Sequence, residues 1–311
     1  MSLNSTLGIV SGPLLNSKWV EGYARLGFDI LTYATVRSVA RPPYALPNIV
    51  FVENRQHAAV ALPGAASNGS STLAVSTGTP SMDPEVWRKD VRRAKERLVR
   101  GQILMVSVAG TAPAGSDADA LALDYARCAT WAAEAGADAI EVHLACPGEG
   151  LGLGEMVFED PKVAVHILSR IRAHVGRPVV AKLGAFRSPR LLHETLTQLA
   201  PWVQGFVLLH GIQRRVIDEE GRPVFEGKER EIVAVVGADT YPGCSRQVEE
   251  AVAWRKAGDW QRAILAVGGV ITVERARQSL RDGADAVLVG TAALVDPLFA
   301  SRLRGALQSA A

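Results

Sequence analysis

Five side chains able to move a proton or hold a polar ligand stand where an apolar run gives way to a turn: Tyr33 in LTYAT, His143 and Cys146 in EVHLACPG, Lys182 in VVAKLG and His210 in VLLHG. A cysteine exchanges a proton near neutral pH when its environment tunes the thiol, and an imidazole titrates in the same range unaided. A lysine flanked by apolar and small residues needs a partner for its ammonium once buried, and a carboxylate such as Glu141 can serve. Two glycine turns complete the set, AVGGVIT with Gly268 and Gly269, and VLVGTAAL with Gly290 and Thr291. Such turns either tighten the chain or bring backbone N–H groups against a phosphate.

These residues need elements that deliver them to one place. The stretch from Asp138 to Gly148 reads as a strand, with Ile140, Val142 and Leu144 on one face and Glu141, His143 and Ala145 on the other, ending at Cys146 and a Pro/Gly loop. An Ala-rich segment with helical spacing, Leu121 to Gly136, precedes it. The same unit recurs along the chain. Strands are expected over 7–10, 29–36, 103–109, 138–145, 178–183, 204–209, 263–267 and 285–289. Helices are expected over 18–26, 84–100, 118–135, 161–175, 189–200, 245–257, 273–282 and 296–308. Eight βα units in alternation, with no GxGxxG after the first strand, predict one α/β domain over 1–311, a closed (β/α)8 TIM barrel. A long excursion follows the second strand, Arg37 to Asp83, and an insertion with an IDEEGRPVF turn follows the sixth, suggesting a hairpin. Active sites of such barrels lie at the C-terminal ends of the strands, here Ser11-Gly12, Tyr33 to Thr35, Ala109-Gly110, Cys146, Lys182, His210, Gly268-Gly269 and Gly290-Thr291. Loops after strands seven and eight often hold phosphate there, which favours phosphate binding over bare turn geometry for the two glycine pairs.

The 311 residues are 48% hydrophobic and 21% charged with a formal net charge of +2, so material for a core is ample and no basic patch points to nucleic acid or to a membrane surface. Cys128, Cys146 and Cys244 are far apart and form no CxxC pair, which argues against a disulfide framework, a zinc knuckle or an iron–sulfur cluster. No apolar run approaches the ~20 residues that span a bilayer, and no basic region followed by an apolar core opens the chain. The expectation is a cytoplasmic protein acting on a small molecule.

The ordered set SG at 11–12, RPPYALPN at 41–48, AGADAIEVHLACPG at 135–148, PVVAKL at 178–183 and LAVGGVITVERARQSLRDGADAVLVGTAAL at 265–294 resembles the FMN-dependent dihydroorotate dehydrogenases, in their cysteine-using branch, and the related uracil-reducing domain of dihydropyrimidine dehydrogenase. The resemblance covers almost the whole chain. It implies an FMN whose phosphate lies on Gly268-Gly269 and Gly290-Thr291, whose ring system lies near Ser11-Gly12, and whose cofactor set includes Gly237 and Lys182. Lys182 would then meet the anionic edge of the flavin, the alternative to an ion pair with Glu141. Cys146 matches the proton-carrying cysteine, working beside hydride transfer between the neighbouring carbon and flavin N5. The following GEGLGLGEMVFEDP is glycine-dense enough to act as a lid. The resemblance further implies a homodimer.

Departures from the family pattern fall on the substrate. His143 stands for the first Asn of NLSCPN and Gly148 for its second; His210-Gly211 replaces Asn-Ser or Asn-Thr; Tyr33 replaces the lysine of the second-strand TKT motif; Val75 to Gly78 lacks the asparagine of an NxxG pattern. Glycine cannot donate to and accept from an imide as asparagine does, so a diverged substrate pocket is expected, with Tyr33, His143 and His210 as its polar groups. With a flavin in the same mouth, no metal is expected. An iron–sulfur relay is absent from the cysteine pattern, so electrons would pass to a soluble acceptor, molecular oxygen or a separate reductase. The other readings are dihydroorotate dehydrogenase proper with an altered pocket, a flavin-free lyase or synthase binding a phosphorylated substrate at the same glycine turns, and a non-catalytic barrel serving as a partner or flavin-binding module. Cys128 and Cys244 are expected to pack, and His57, His166, His174 and His193 to lie on loop or helix surfaces.

Overall fold

Strand and helix alternate because short β-branched runs are punctuated by strong helix starters. In the computed structural model, which describes residues 3–62, 71–148 and 156–308, Asp-Pro and Ser-Pro pairs open three helices: α2 (Pro84–Glu96), α4 (Pro161–His174) and α5 (Pro189–Leu199). In each, the residue before the proline, Asp83, Asp160 or Ser188, accepts a backbone N–H as N-cap, and the proline supplies the first-turn φ without losing a hydrogen bond. The other helices are α1 (Ser17–Arg25), α3 (Ala118–Glu134), α6 (Tyr241–Ala257), α7 (Val273–Arg281), α8 (Thr291–Val295) and α9 (Phe299–Gln308). Three points differ from expectation: α6 begins four residues earlier, its proline again in the first turn; α2 ends four residues earlier; and a short helix not expected from the sequence, α8, precedes the last one.

Eight parallel strands close into a barrel: β1 (Leu7–Ile9), β2 (Ile30–Val36), β6 (Ile103–Val108), β7 (Ala139–His143), β8 (Val179–Lys182), β9 (Gly205–Leu208), β12 (Ala263–Ala266) and β13 (Ala286–Val289), in the order β1-β13-β12-β9-β8-β7-β6-β2. This is a TIM barrel. Period-two alternation sorts the side chains. Ile140 and Val142 of β7 pack outward among the helices, while Ala139 joins Ile30, Met105, Val180, Val207, Leu265, Val267, Ala286 and Leu288 in an apolar plug inside the barrel.

The remaining strands lie outside the barrel ring. After β2 come β3 (Ile49–Asn54), β4 (Ala59–Ala61) and β5 (Thr72–Val75); after β9 come β10 (Ile212–Ile217) and β11 (Ile232–Gly237). They join in one closed five-stranded sheet, β10-β11-β5-β3-β4. Two segments more than a hundred residues apart thus complete each other: β11 pairs antiparallel with both β10 and β5, and β4 pairs parallel with β10. Its own small core contains Val52, Ala59, Ala74, Val216, Phe225, Val233 and Val235. Arg230 fastens the two segments, donating to Ser76 Oγ and to the Pro47 carbonyl between the rings of Tyr44 and Phe225.

Candidate active site

One side of the barrel mouth is made of backbone. β1, β13 and β12 are neighbours, so Ser11-Gly12, Gly290-Thr291 and Gly268-Gly269 emerge side by side. Gly269 has φ +68, and a Cβ there would lie 2.4 Å from the Tyr241 amide nitrogen; at Gly237, with φ +100, a Cβ would lie 1.9 Å from the Ser71 carbonyl oxygen. Only glycine fits either position. Arg275 ties these turns together by donating to the carbonyls of Gly269 (2.8 Å) and Ala238 (3.0 Å) while stacking on Tyr241. Gly237, Gly268 and Gly269 therefore converge on the start of α6, and Gly290 packs against Val10 beside Ser11.

The opposite side is made of side chains. His143 and Lys182 occupy paired positions on β7 and β8, above the apolar plug, with Glu141 one layer below His143. Lys182 is 2% exposed and crosses the barrel to donate to Ser11 Oγ at 2.9 Å, joining two strands on opposite sides of the ring. Its Nζ also lies 3.6 Å from Glu141 Oε1. The ion pair that the sequence left as one alternative for Lys182 is thus present, and it leaves the ammonium directed at the mouth.

Cys146 sits just past β7, buried, its thiol donating to the His143 carbonyl at 3.0 Å with the Tyr125 hydroxyl 3.4 Å from the sulfur. The same carbonyl accepts from Tyr125 at 3.0 Å. Backbone bonds from Val157 to Cys146 and from Phe158 to Leu144 pin the returning chain to the strand exit. Residues 149–155 of the glycine-dense stretch expected to form a lid lie outside the described residues.

The rings of His143 and His210 meet edge to face with centroids 4.9 Å apart. Burial, followed by the charge of Lys182, pulls both below the ordinary histidine range, His210 to about 3, so both are neutral imidazoles at physiological pH. His143 Nδ1 is buried and has no hydrogen-bond partner among the described residues. An orphaned polar atom at the C-terminal strand ends is what a ligand would satisfy.

Tyr33 is a correction. On β2 it faces outward, 1% exposed beneath α2, and its hydroxyl donates to Asp90 at 2.8 Å. Burial and Asp90 push that phenol up, so it neither reaches the mouth nor exchanges protons there. The alternation that sends Thr32 inward sends Tyr33 out. Cys128 and Cys244 are buried; Cys244 donates to the Val267 carbonyl at 2.7 Å and burial pushes it up to about 12. Sequence reasoning missed Arg37, buried at the top of β2 and donating to Gly110, Thr111 and Thr79, and the clamp Arg275. Nothing in an isolated arginine signals burial. Among the described residues no group of three His, Cys, Asp or Glu side chains could hold a metal, and no helix is long and apolar enough to cross a membrane.

Fold and site define a TIM barrel whose C-terminal strand ends bring a glycine-backbone wall together with a wall of Cys, His and Lys. No family model matches the chain. Among curated proteins it is 27% identical to a dihydroorotate dehydrogenase of Dictyostelium discoideum over 96% of the chain and 84% of that protein. It is 27% identical to the catalytic subunit of a dihydroorotate dehydrogenase B (NAD(+)) of Thermodesulfovibrio yellowstonii and 29% identical to that of Thermoplasma acidophilum, over 52% and 51% of the chain. Those two matches span 51% and 49% of the relatives' own length. The chain is a relative of the dihydroorotate dehydrogenase family.

Proposed function

We propose that this protein is an FMN-dependent oxidoreductase that adds or removes hydrogen across a C–C bond next to a carbonyl, with Cys146 as the proton carrier and a substrate pocket diverged from that for dihydroorotate. The observation that carries the reading is the Lys182–Ser11 bridge spanning a mouth whose far wall is glycine backbone. The residues present fit FMN: the backbone at Gly12 is open, with nothing within 4 Å of a Cβ placed there, and the buried Lys182 ammonium is held beside it on Ser11 Oγ. Ser11, Gly12, Gly237, Gly268, Gly269, Gly290, Thr291 and Lys182 would hold it. Bound there, FMN would supply a two-electron hydride acceptor or donor next to the substrate carbon.

Cys146 holds its proton at Sγ against the His143 carbonyl. When the thiol turns toward substrate, that buried carbonyl keeps the Tyr125 hydroxyl as donor, so the movement strands no polar group. His143 and His210, both neutral, each offer one N–H and one lone pair to the substrate's polar edge. An imidazole's N–H and lone pair point in divergent directions, whereas an asparagine amide turns its donor and acceptor to one edge, so each ring meets the substrate with one of the two and the edge that fits changes. The extended match to the Dictyostelium protein favours a second reading, dihydroorotate itself as substrate.

Anaerobic mixing of FMN-loaded protein with a panel of dihydropyrimidines and other saturated carbonyl compounds, followed by flavin bleaching, separates these. Bleaching by a compound other than dihydroorotate, lost in Cys146→Ser, supports the diverged pocket. Rapid bleaching by dihydroorotate alone selects the second reading. No bleaching by any compound, together with tight binding of a phosphorylated metabolite to flavin-free protein, contradicts both.

A further inference from the structure

Glu141 lies on β7 with no exposed surface, one layer below His143 and level with Ser107 of β6. Ser107 is engaged with Thr35, their hydroxyls 3.0 Å apart. Neither carboxylate oxygen of Glu141 has a hydrogen-bond partner among the described residues; what it has is the Lys182 ammonium, 3.6 Å from Oε1. A buried ion pair without supporting hydrogen bonds is a poor stabiliser compared with well-packed apolar side chains. The barrel packs apolar side chains immediately beneath, where Ile30, Met105, Val180, Val207 and Leu265 fill the interior. Fold stability alone gives no reason for a carboxylate here.

We propose that Glu141 is a positioning residue: it holds Lys182 in its reach across the barrel toward Ser11 and partly cancels the ammonium's charge at the mouth, and so sets the reduction potential of the bound FMN without touching it. The inference rests on the FMN reading above. A cation beside a flavin favours the reduced form, which carries more negative charge, and a carboxylate on the far side of that cation weakens the preference. Ser11 Oγ fixes the direction of the ammonium and Glu141 fixes its net field. Removing the carboxylate's charge while keeping its shape leaves Lys182 uncompensated, and the potential rises.

The test is the two-electron potential of FMN-loaded wild type, Glu141→Gln and Glu141→Asp, read from flavin absorbance against a reference dye. In Glu141→Gln, reduced FMN gains about tenfold in affinity relative to oxidised FMN, a rise of about 30 mV. Glu141→Asp draws the same charge back from Lys182, so it rises by less. A Glu141→Gln potential equal to or below wild type, with FMN bound, overturns the inference and leaves the flavin reading intact. If Glu141→Gln does not fold, Glu141→Asp decides alone, and an unchanged or lower potential overturns it. Wild type that binds no FMN removes the flavin reading itself, a result distinct from two loaded proteins of equal potential.

Discussion

The two walls of the barrel mouth are built by different means. At β1, β12 and β13 the surface is backbone, its turns held tight by glycines where a Cβ would meet Cys244 at Gly268, Tyr241 at Gly269 and Val10 at Gly290. At β7, β8 and β9 it is side chains, His143, Cys146, Lys182 and His210, standing on a rigid strand register. A backbone wall tolerates little substitution where, as at Gly269, a Cβ meets neighbouring main chain. A side-chain wall can exchange its chemistry while the strands beneath stay the same. The resemblance to the dihydroorotate dehydrogenases follows this division: it is densest in the glycine turns and breaks at His143, Gly148 and His210. The backbone wall follows the family's pattern and the side-chain wall departs from it.

Substitutions on each wall should separate the two roles. The largest effect is expected on the side-chain wall: Cys146→Ser should lower turnover by about 10² to 10⁴, the usual contribution of a placed acid or base, with an unchanged flavin spectrum. Stopped-flow flavin reduction reads this, and near wild-type rates would remove Cys146 from the chemistry. Lys182→Met joins both walls, because it strands the Glu141 carboxylate in the barrel; a loss of about 3–5 kcal/mol in denaturant unfolding is expected, and a variant as stable as wild type would show that Glu141 has another partner.

On the backbone wall, Gly269→Ala forces an alanine into a left-handed conformation, at about 1–3 kcal/mol, and against the Tyr241 amide. FMN titration should show weakened binding, whereas His210→Asn should bind FMN as wild type does. Equal FMN affinity in Gly269→Ala would erase the proposed division of labour. The most gradual effect is in pH dependence. Both histidines are held below their unfolded value near 6.5, so below that pH, and for His210 down to about 3, the unfolded chain binds more protons than the folded one and stability falls as pH drops. His210→Asn should flatten the slope by up to about 1.4 kcal/mol per pH unit. A wild type whose stability does not change from pH 7 to 4.5 would mean the imidazoles are not neutral.

The barrel was legible because its signals are local. Alternating runs such as AIEVH and capping pairs such as Asp160-Pro161 place each strand within one or two residues and most helices nearly as well. The glycine turns were legible for the same reason. The joint five-stranded sheet was not: pairing of β5 with β11 joins residues over 150 positions apart, and no local pattern encodes which edge meets which. Tyr33 was misplaced for a related reason. Alignment with a motif gives a residue's position along the strand, but only strand parity gives its face, and Asp90 on α2 completes the outward environment. Glu141 was visible as a candidate partner for Lys182, yet its lack of hydrogen bonds emerges only with the packed barrel interior in view.

The most direct measurement is the visible absorption spectrum of the purified protein, followed by heat release and identification of any bound cofactor. A yellow protein releasing FMN, with Gly269→Ala paler at equal concentration, is the expected result. A colourless protein that also fails to bind added FMN would contradict the flavin reading and leave the glycine wall to a phosphorylated substrate.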